Sequence, residues 1–146
     1  MGQAVRAIII DGDRLLVMHR NKHGSQYYTL VGGRVQDDES LEQALVREVK
    51  EETDLDVTAA RLVFTEEHAE PYNSQHIYLC EVGPHGNPAI TEASEEGQMN
   101  RIGINLHTPA WVYIKALSKI PFRTPQLQQA LIDAFKRGFP KQRIRL

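Results

Sequence analysis

The chain has 146 residues, of which 41% are hydrophobic and 25% are charged. This composition is sufficient for a hydrophobic core, excludes a chain that is disordered throughout, and predicts one domain spanning residues 1–146. The net charge of −2 gives no general attraction to nucleic acid or to anionic lipid. An anionic ligand would therefore need a local cluster of cations or a bound metal ion.

The single cysteine, Cys80, excludes an internal disulfide framework. Its place in the apolar run that starts at Ile77 predicts a buried strand thiol. The amino-terminal sequence has no basic segment followed by a long apolar stretch, and the run from Ala7 to Ile10 is too short to cross a membrane. We therefore expect a soluble, cytoplasmic protein with no membrane partner.

Runs of apolar and β-branched residues alternate with turn residues in the first third of the chain. This pattern predicts a hairpin, then a polar loop, and then a third strand that ends at two glycines. In chain order these elements are the strands Ala4 to Ile10 and Arg14 to His19, joined by Asp11-Gly12-Asp13, the loop Arg20 to Gln26, and the strand Tyr27 to Val31 before Gly32-Gly33.

A helix is predicted from Ser40 to about Asp54. Ser40 is a favourable N-cap residue, and Gln43 can complete a capping box three positions later. No proline or glycine interrupts the sequence before Asp54. The segment is therefore the clearest helix in the chain.

The second half of the chain predicts three more strands, a long polar loop and a final helix. In chain order these are the strands Val57 to Glu66 and His76 to Val82, the loop Gly83 to Leu106, the strand Ala110 to Ile114, and a helix that begins at Thr124-Pro125 and ends at Gly138 and Pro140. This order of elements predicts an α/β (α+β) fold with a mixed β-sheet covered by helices.

The helix that begins at Ser40 carries carboxylates on the face that should be buried. At about 100° per residue, its apolar residues form one stripe, and Glu48, Glu51 and Glu52 continue that stripe. An acidic helix usually forms a solvated face with ion pairs. Here the three carboxylates repel each other and lose hydration on burial unless a cation lies between them. A divalent metal ion would resolve both problems.

The ligand chemistry narrows the choice of metal. Carboxylate oxygens suit Mg2+ or Mn2+, whereas Zn2+ usually recruits His or Cys, which this helix lacks. Mg2+ keeps several waters and commonly bridges to substrate phosphates. A magnesium cluster beside the Gly32-Gly33 turn therefore points to phosphate chemistry.

The segment from Gly33 to Leu55 resembles the Nudix box. That box contains a glycine, five residues, a glutamate, seven residues, and then Arg-Glu-apolar-x-Glu-Glu-x-Gly-apolar. The matching residues are Gly33, Glu39, Arg47, Glu48, Val49, Glu51, Glu52 and Leu55. The flanking hairpin, and the pattern Glu95-Glu96 followed by Trp111-Val112, also look like a Nudix domain outside its box.

The resemblance implies an α/β/α sandwich and a hydrolase whose substrate is a small nucleotide derivative. Water would attack a phosphorus of a nucleoside diphosphate that is linked to another group. The residues matching Glu48, Glu51 and Glu52 would bind Mg2+ or Mn2+. The backbone carbonyl of Gly32 or Gly33 could be a further ligand.

The resemblance also implies roles for individual side chains. Arg47 would hold the acidic cluster in place through an ion pair with Glu39 and would not touch the reacting phosphorus. The family is inconsistent in the base that activates water. Glu52 and Glu96 are both candidates for that base, with Glu95 behind them.

Asp54 is the one departure from the box, which has glycine at this position. Glycine suits the left-handed residue that ends a helix, and aspartate tolerates that conformation at a cost of about 1 kcal/mol. We expect reduced stability and unchanged catalysis.

Substrate contacts are less clearly indicated. Arg14, His19 and Arg20 lie on or just after the second strand, where a cation could meet substrate phosphates, although such residues often only increase solubility. Tyr72 follows Pro71, about sixteen residues beyond the box. Some relatives that cleave dinucleoside polyphosphates have tyrosine there, and some that cleave ADP-ribose have proline, so the pair does not discriminate between these substrates.

Two aromatic residues near the end of the chain are candidates for stacking on a base. They are Trp111 and Tyr113. Their alternation with Val112 and Ile114 equally predicts a half-buried strand.

Three functions remain open at this stage. The first is metal-dependent hydrolysis of a small nucleotide, and the second is a Nudix-like module that senses a nucleotide without cleaving it. The third is an RNA pyrophosphohydrolase that binds its long substrate through a basic tail, although such charges are usually solvated or complement a helix dipole. That tail contains Lys136, Arg137, Lys141, Arg143 and Arg145. The oligomeric state, including a homodimer, is also open.

Overall fold

A computed structural model describes residues 2–67, 74–85 and 105–146. Within these ranges the chain forms eight strands, two α-helices and one 3-10 helix. The strands are β1 (Gln3–Ile8), β2 (Ile10–Asp11), β3 (Arg14–Lys22), β4 (Ser25–Arg34), β5 (Val57–Glu67), β6 (Ser74–Val82), β7 (Asn105–Tyr113) and β8 (Ile144–Arg145). The helices are α1 (Leu41–Thr53), the 3-10 helix (Ile114–Lys119) and α2 (Pro125–Arg137).

The described strands form a mixed sheet in the order β2-β3-β4-β1-β6-β5-β8, and β7 pairs with β3. β1 lies near the centre because it pairs antiparallel with β4 and parallel with β6. β5 and β8 form a second parallel pair. The predicted mixed sheet is therefore confirmed.

Helices cover the two faces of this sheet. On one face, Leu45 and Val49 of α1 belong to the same hydrophobic cluster as Val31 of β4. On the other face, Leu127 of α2 clusters with Leu30 of β4. Successive side chains of a strand point to opposite faces, so these adjacent β4 residues place α1 and α2 on opposite sides. The predicted sandwich of a sheet between helices is confirmed.

The first hairpin differs from its prediction. The strand expected from Ala4 to Ile10 ends at Ile8, and only the two residues of β2 form a hairpin with the start of β3. Both edges of β1 are occupied by β4 and β6. β1 is therefore not available to β3, and the prediction of one long paired strand was wrong.

The polar loop predicted from Arg20 to Gln26 is mostly strand. Lys22 of β3 pairs with Ser25 of β4, which leaves a turn of two residues at His23 and Gly24. Their φ angles are 52° and 84°. Positive φ at both central positions is the type I′ geometry that matches the twist of paired strands. The loop prediction was wrong because it rested on the polarity of the segment. The two-residue turn at His23 and Gly24 lets these polar residues form paired strands.

β7 is longer than the strand predicted from Ala110 to Ile114. It pairs with β3 along its whole length, so its partner determines how far it extends. Ile114 instead begins the 3-10 helix, which the sequence did not predict.

The basic tail contains β8, which the sequence also did not predict. Ile144 and Arg145 pair with Phe64 and Thr65 of β5. The Arg143 guanidinium donates a hydrogen bond of 2.8 Å to the Thr65 hydroxyl oxygen. The end of the tail is therefore part of the sheet edge.

The boundaries of α1 follow from its sequence. Ser40 and Gln43 form the predicted capping box, because each side chain accepts the other residue's backbone N–H. Asp54 ends the helix with φ 62° and ψ 17°, the left-handed conformation. In the described ranges, no helix has the length and apolar character needed to span a bilayer.

Replacing Asp54 with glycine is expected to raise the melting temperature by about 3 °C. Glycine removes the penalty of about 1 kcal/mol for a left-handed residue with a Cβ atom, and in a chain of this size that energy corresponds to a few degrees. Thermal unfolding followed by circular dichroism measures the change.

Asp56→Gly is the matched control for this substitution. Lys50 contacts both carboxylates, Asp54 at 3.3 Å and Asp56 at 3.1 Å. The control removes one of these exposed ion pairs without relieving a left-handed residue, so it should not raise the melting temperature. If Asp54→Gly stabilises no more than the control does, the strain argument is wrong.

Cys80 is buried in β6, with 8% of its surface exposed. Burial raises the pKa of its thiol to about 12. The predicted buried strand thiol is confirmed, and at neutral pH it is protonated and unreactive.

Candidate active site

Two carboxylates of α1 are buried against β4. Glu48 is 6% exposed and Glu52 is 0% exposed. Glu52 Oε1 accepts the backbone N–H of Gly32 at 2.7 Å. Glu48 and Glu52 thus lie on the buried face of α1, as the periodicity of about 100° per residue predicts, and they lie next to Gly32 and Gly33.

The two glycines make this approach possible. Gly32 has φ 151°, and a Cβ atom there would lie 1.9 Å from the carbonyl oxygen of Val5. A Cβ atom on Gly33 would lie 2.6 Å from the Glu48 carboxylate. Any other residue at position 33 would therefore occupy the space that the carboxylate uses.

Arg47 connects the acidic residues to one another. Its Nε and Nη2 atoms donate to the two carboxylate oxygens of Glu39 at 2.6 Å and 2.8 Å. Its Nη1 atom donates to Glu48 at 3.0 Å and to Glu51 at 3.3 Å. Nη2 also donates to the Arg34 carbonyl oxygen at 3.1 Å. This planar fork fixes the start of α1 to the end of β4.

The ion pair with Arg47 makes stability depend on the ionisation of Glu39. The hydrogen bond from Arg47 holds the pKa of the Glu39 carboxyl below its usual value. A carboxyl whose pKa is lower in the folded protein than in the unfolded chain stabilises the fold. This stabilisation is fully present above the pKa in the unfolded chain, about 4.3 for glutamate, and is lost as the pH falls through the pKa in the folded protein. We therefore expect Glu39→Gln to be less stable than the wild type at pH 7, and the difference to vanish as the pH falls through the lowered pKa of Glu39.

Urea unfolding between pH 3 and pH 7 tests this dependence. Asp133→Asn is the control, since Asp133 is an exposed carboxylate that contacts Gln129. A stability difference between the wild type and Glu39→Gln that is independent of pH would contradict the assigned role of the ion pair.

The acidic cluster does not form a complete metal site as it stands. Across residues 2–67, 74–85 and 105–146, no three His, Cys, Asp or Glu side chains form a group that could hold a metal ion. The Arg47 Nη1 atom contacts both Glu48 and Glu51, and the Glu51 side chain is 35% exposed. The metal roles of Glu48, Glu51, Glu52 and Gly32 remain predictions.

Three basic residues were candidates for phosphate contact. Arg20 donates through Nε to the Thr29 hydroxyl at 3.3 Å, and its Nη1 lies 3.0 Å from His107 Nε2. Arg14 forms an exposed ion pair with Asp11 at 3.6 Å. His19 contacts Gln26, and its ring centre lies 4.9 Å from that of Tyr28 with the planes tilted by 34°. Their roles in substrate binding stay predictions.

The aromatic candidates differ in exposure. Trp111 packs partly buried against the cluster under α1, with the Arg14 guanidinium 5.5 Å from its ring centre. Tyr113 is 53% exposed. Three further candidates, Tyr72, Glu95 and Glu96, lie outside the described residues.

The sequence analysis did not predict some residues on the sheet face that α1 covers. His107 is 3% exposed beside Arg20. The guanidinium carbon of Arg123 lies 3.9 Å from the centre of the Tyr27 ring. The register of β3 and β7 brings His107 to Arg20, and a bridge between Tyr28 and Phe122 brings Arg123 to Tyr27. The sequence alone gives no signal for either pairing.

Comparison with known proteins agrees with this architecture. The NUDIX domain model matches residues 1–128. The NAD-capped RNA hydrolase NudC of Pectobacterium carotovorum is 31% identical over 70 residues, which are 48% of this chain and 27% of that protein. The 8-oxo-dGTP diphosphatase of Proteus vulgaris is 40% identical over 57 residues, which are 39% of this chain and 49% of that protein. The matched segment thus spans about a quarter of the length of the NudC protein and about half of the length of the diphosphatase.

Solved structures show the same fold. An ADP-ribose pyrophosphatase from Streptococcus suis superposes with a TM-score of 0.67, over 99% of this chain and 96% of that chain, at 22% identity. At this identity the likeness concerns the fold alone. The family-model match covers most of the chain, and this protein belongs to the NUDIX family.

Proposed function

We propose that this protein hydrolyses a phosphoanhydride bond in a nucleoside diphosphate linked to another group, with Mg2+ as its cofactor and Mn2+ as a substitute. The observation that carries the proposal is the pair of buried carboxylates, Glu48 and Glu52, held against Gly32-Gly33. Burying a carboxylate is costly, and pairing it, as Arg47 pairs with Glu48, recovers that cost only in part. A protein without a use for these groups would be more stable with apolar residues there.

The donor set fits a hard divalent cation. Glu48, Glu51 and Glu52 would supply carboxylate oxygens, and the Gly32 carbonyl would add a backbone oxygen. When bound, the ion would neutralise charge on the substrate phosphates and polarise the phosphorus under attack. The Glu51 side chain is 35% exposed. In the proposed metal site it would move away from Arg47 and join the other two carboxylates.

The roles of the remaining groups follow from their positions. Arg47 contacts Glu39, Glu48 and Glu51, so it acts as a positioning residue. Glu52 is held in orientation by the Gly32 N–H and would accept the proton of the attacking water. Glu96 is the alternative base.

The substrate is best described as a small nucleotide derivative. The names of the relatives give NAD-capped RNA, 8-oxo-dGTP and ADP-ribose as their substrates. A nucleoside diphosphate is common to all three compounds. The likeness to NAD-capped RNA hydrolases favours a capped RNA as the second candidate. The tail is a weak candidate for holding that RNA, because Arg143 and Arg145 already contact β5.

A nucleotide sensor is the rival from another class. A sensor gains nothing from three carboxylates that repel one another, so the retained cluster favours an enzyme. Turnover distinguishes the two: a sensor binds metal and nucleotide without releasing products.

The test is a panel of nucleoside triphosphates, ADP-ribose, dinucleoside polyphosphates, nucleotide sugars and NAD-capped RNA, incubated with and without Mg2+. Mass spectrometry of the products identifies the bond that breaks. We expect a nucleoside monophosphate or diphosphate to be released only when the metal is present. Tight nucleotide binding without any product would overturn the proposal and support the sensor.

A further inference from the structure

Two neutral side chains hold the guanidinium of Arg20. Its Nε atom donates to the Thr29 hydroxyl oxygen at 3.3 Å, and its Nη1 atom lies 3.0 Å from Nε2 of His107. An arginine side chain can only donate, so this histidine nitrogen accepts the hydrogen bond and carries no proton. The imidazole of His107 is therefore neutral, with its single proton on Nδ1.

Both acceptors are fixed by the sheet. Thr29 is 8% exposed and His107 is 3% exposed. Arg20 pairs in register with His107 of β7 on one side and with Tyr27 of β4 on the other. Its side chain leans from the level of Tyr27 to Thr29, which is two residues nearer to the glycine pair at the end of β4. The guanidinium is thus oriented between two strands.

Arg20 differs from Arg14 and Arg47 in its lack of an acidic partner. Arg47 contacts three carboxylates, and Arg14 pairs with Asp11 at 3.6 Å. In the part of the chain that the structure describes, no carboxylate pairs with Arg20, and its Nη2 atom makes no hydrogen bond. A half-buried cation without an anion loses hydration without compensation. An anionic ligand would complete this site.

The neutral histidine suits such a site better than an acid would. A carboxylate at position 107 would hold the guanidinium as firmly, but it would also neutralise its charge. A neutral imidazole orients the guanidinium and leaves the positive charge available to a ligand. The N–H groups of Nη2 remain to meet phosphate oxygens, which match the planar geometry of a guanidinium.

The guanidinium lies on the same face of β4 as the acidic cluster. Thr29 and Gly33 are an even number of residues apart on one strand, so their side-chain positions share a face and lie about 13 Å apart. The Cβ position of Gly33 faces the Glu48 carboxylate. A nucleotide with its phosphates can extend over a distance of this order.

We propose that His107 is a positioning residue which, together with Thr29, orients Arg20 to bind a phosphate of the substrate. The inference rests on the proposed function and makes it more specific, because it names the cation that meets the substrate and the groups that hold this cation in place. His107 itself does not touch the substrate.

Binding of inorganic pyrophosphate without metal tests the site independently of catalysis. We expect calorimetry to show about 10-fold weaker binding for Arg20→Ala, which loses hydrogen bonds from a charged group, and about 5-fold weaker binding for His107→Leu and for Thr29→Val. His107→Gln keeps a neutral acceptor and should stay within about 2-fold of the wild type, whereas His107→Glu should bind as weakly as Arg20→Ala. Arg137→Ala removes an exposed arginine at the end of α2 and is the control, which should bind like the wild type.

A double-mutant cycle separates positioning from a general structural role. If His107 acts through Arg20, His107→Leu should cause no further loss of pyrophosphate affinity in the Arg20→Ala background. Additive losses would overturn the inference, as would equal losses in His107→Gln and His107→Leu. Wild-type affinity too weak to measure at millimolar pyrophosphate would also overturn it.

Kinetics separates this inference from the proposed function. With a substrate that the wild type hydrolyses, His107→Leu should raise KM about 5-fold and leave kcat unchanged, because the lost contact is made equally before and during the reaction. A lower kcat with unchanged KM would contradict the positioning role. Absence of all hydrolysis in the wild type would instead overturn the proposed function, and the pyrophosphate titrations would still decide whether His107 positions Arg20.

Discussion

Glu52→Gln is expected to lower metal-dependent turnover about 1,000-fold, the range of losses seen when a residue that transfers a proton is removed. Glutamine keeps an oxygen that can accept the Gly32 N–H, so the local structure of the glycine turn is retained. It cannot accept a proton from water, and it is a much weaker metal ligand than a carboxylate. Steady-state kinetics at saturating Mg2+ measures the loss.

Glu42→Gln is the matched control for this loss. Glu42 is an exposed carboxylate on the same helix, so the control changes the helix charge equally without touching the buried face. Circular dichroism should show both variants folded. Wild-type turnover in a folded Glu52→Gln protein would exclude Glu52 from the reaction and leave Glu96 as the candidate base.

Gly32→Ala is expected to destabilise the protein by about 3 kcal/mol, at the upper end of the range for an added atom that the core cannot accommodate. The new Cβ atom would lie 1.9 Å from the Val5 carbonyl oxygen and 2.9 Å from the Arg6 Cα atom. Both are backbone atoms of the central strand β1, so they cannot move aside as a flexible side chain can. The φ angle of 151° adds strain for any residue with a side chain. Urea unfolding measures the change in the free energy of unfolding.

Gly12→Ala separates the effect of the close contact with β1 from the effect of the positive φ angle. Gly12 also has a positive φ, 62°, but a Cβ atom there would meet nothing within 4 Å. Its cost should be about 1 kcal/mol, which is the conformational penalty alone. Similar losses for the two variants would show that the contact with β1 is not what requires glycine at position 32.

Local chemistry accounts for the elements that the sequence predicted well. The capping box of Ser40 and Gln43 and the left-handed Asp54 define α1 from within the segment itself. The end of α2 follows in the same way from Gly138, whose N–H donates to the Ala134 carbonyl. These signals lie within a few residues of each other and need no tertiary structure.

Tertiary pairing accounts for the elements that the sequence missed. β7 takes its length from β3, and β8 forms only because the edge of β5 is available to it. The same limit applies to the site. Motif spacing predicts Glu48, Glu52 and Arg47 as candidates for the site. The neighbours of Arg20 and Arg123 lie on strands that are distant in sequence, so spacing cannot predict them.

The central claim is that the buried carboxylates of α1 bind a metal ion, and titration with Mn2+ tests it most directly. The test is needed because, in the described residues, no three metal-ligating side chains form a group that could hold an ion. Calorimetry should show that the wild type binds Mn2+ and that Glu48→Gln binds it more than about 10-fold more weakly. Glu42→Gln should bind Mn2+ as the wild type does. If the wild type and Glu48→Gln bind Mn2+ equally, or if neither binds it, the buried carboxylates of α1 do not form a metal site and the account of hydrolysis is contradicted.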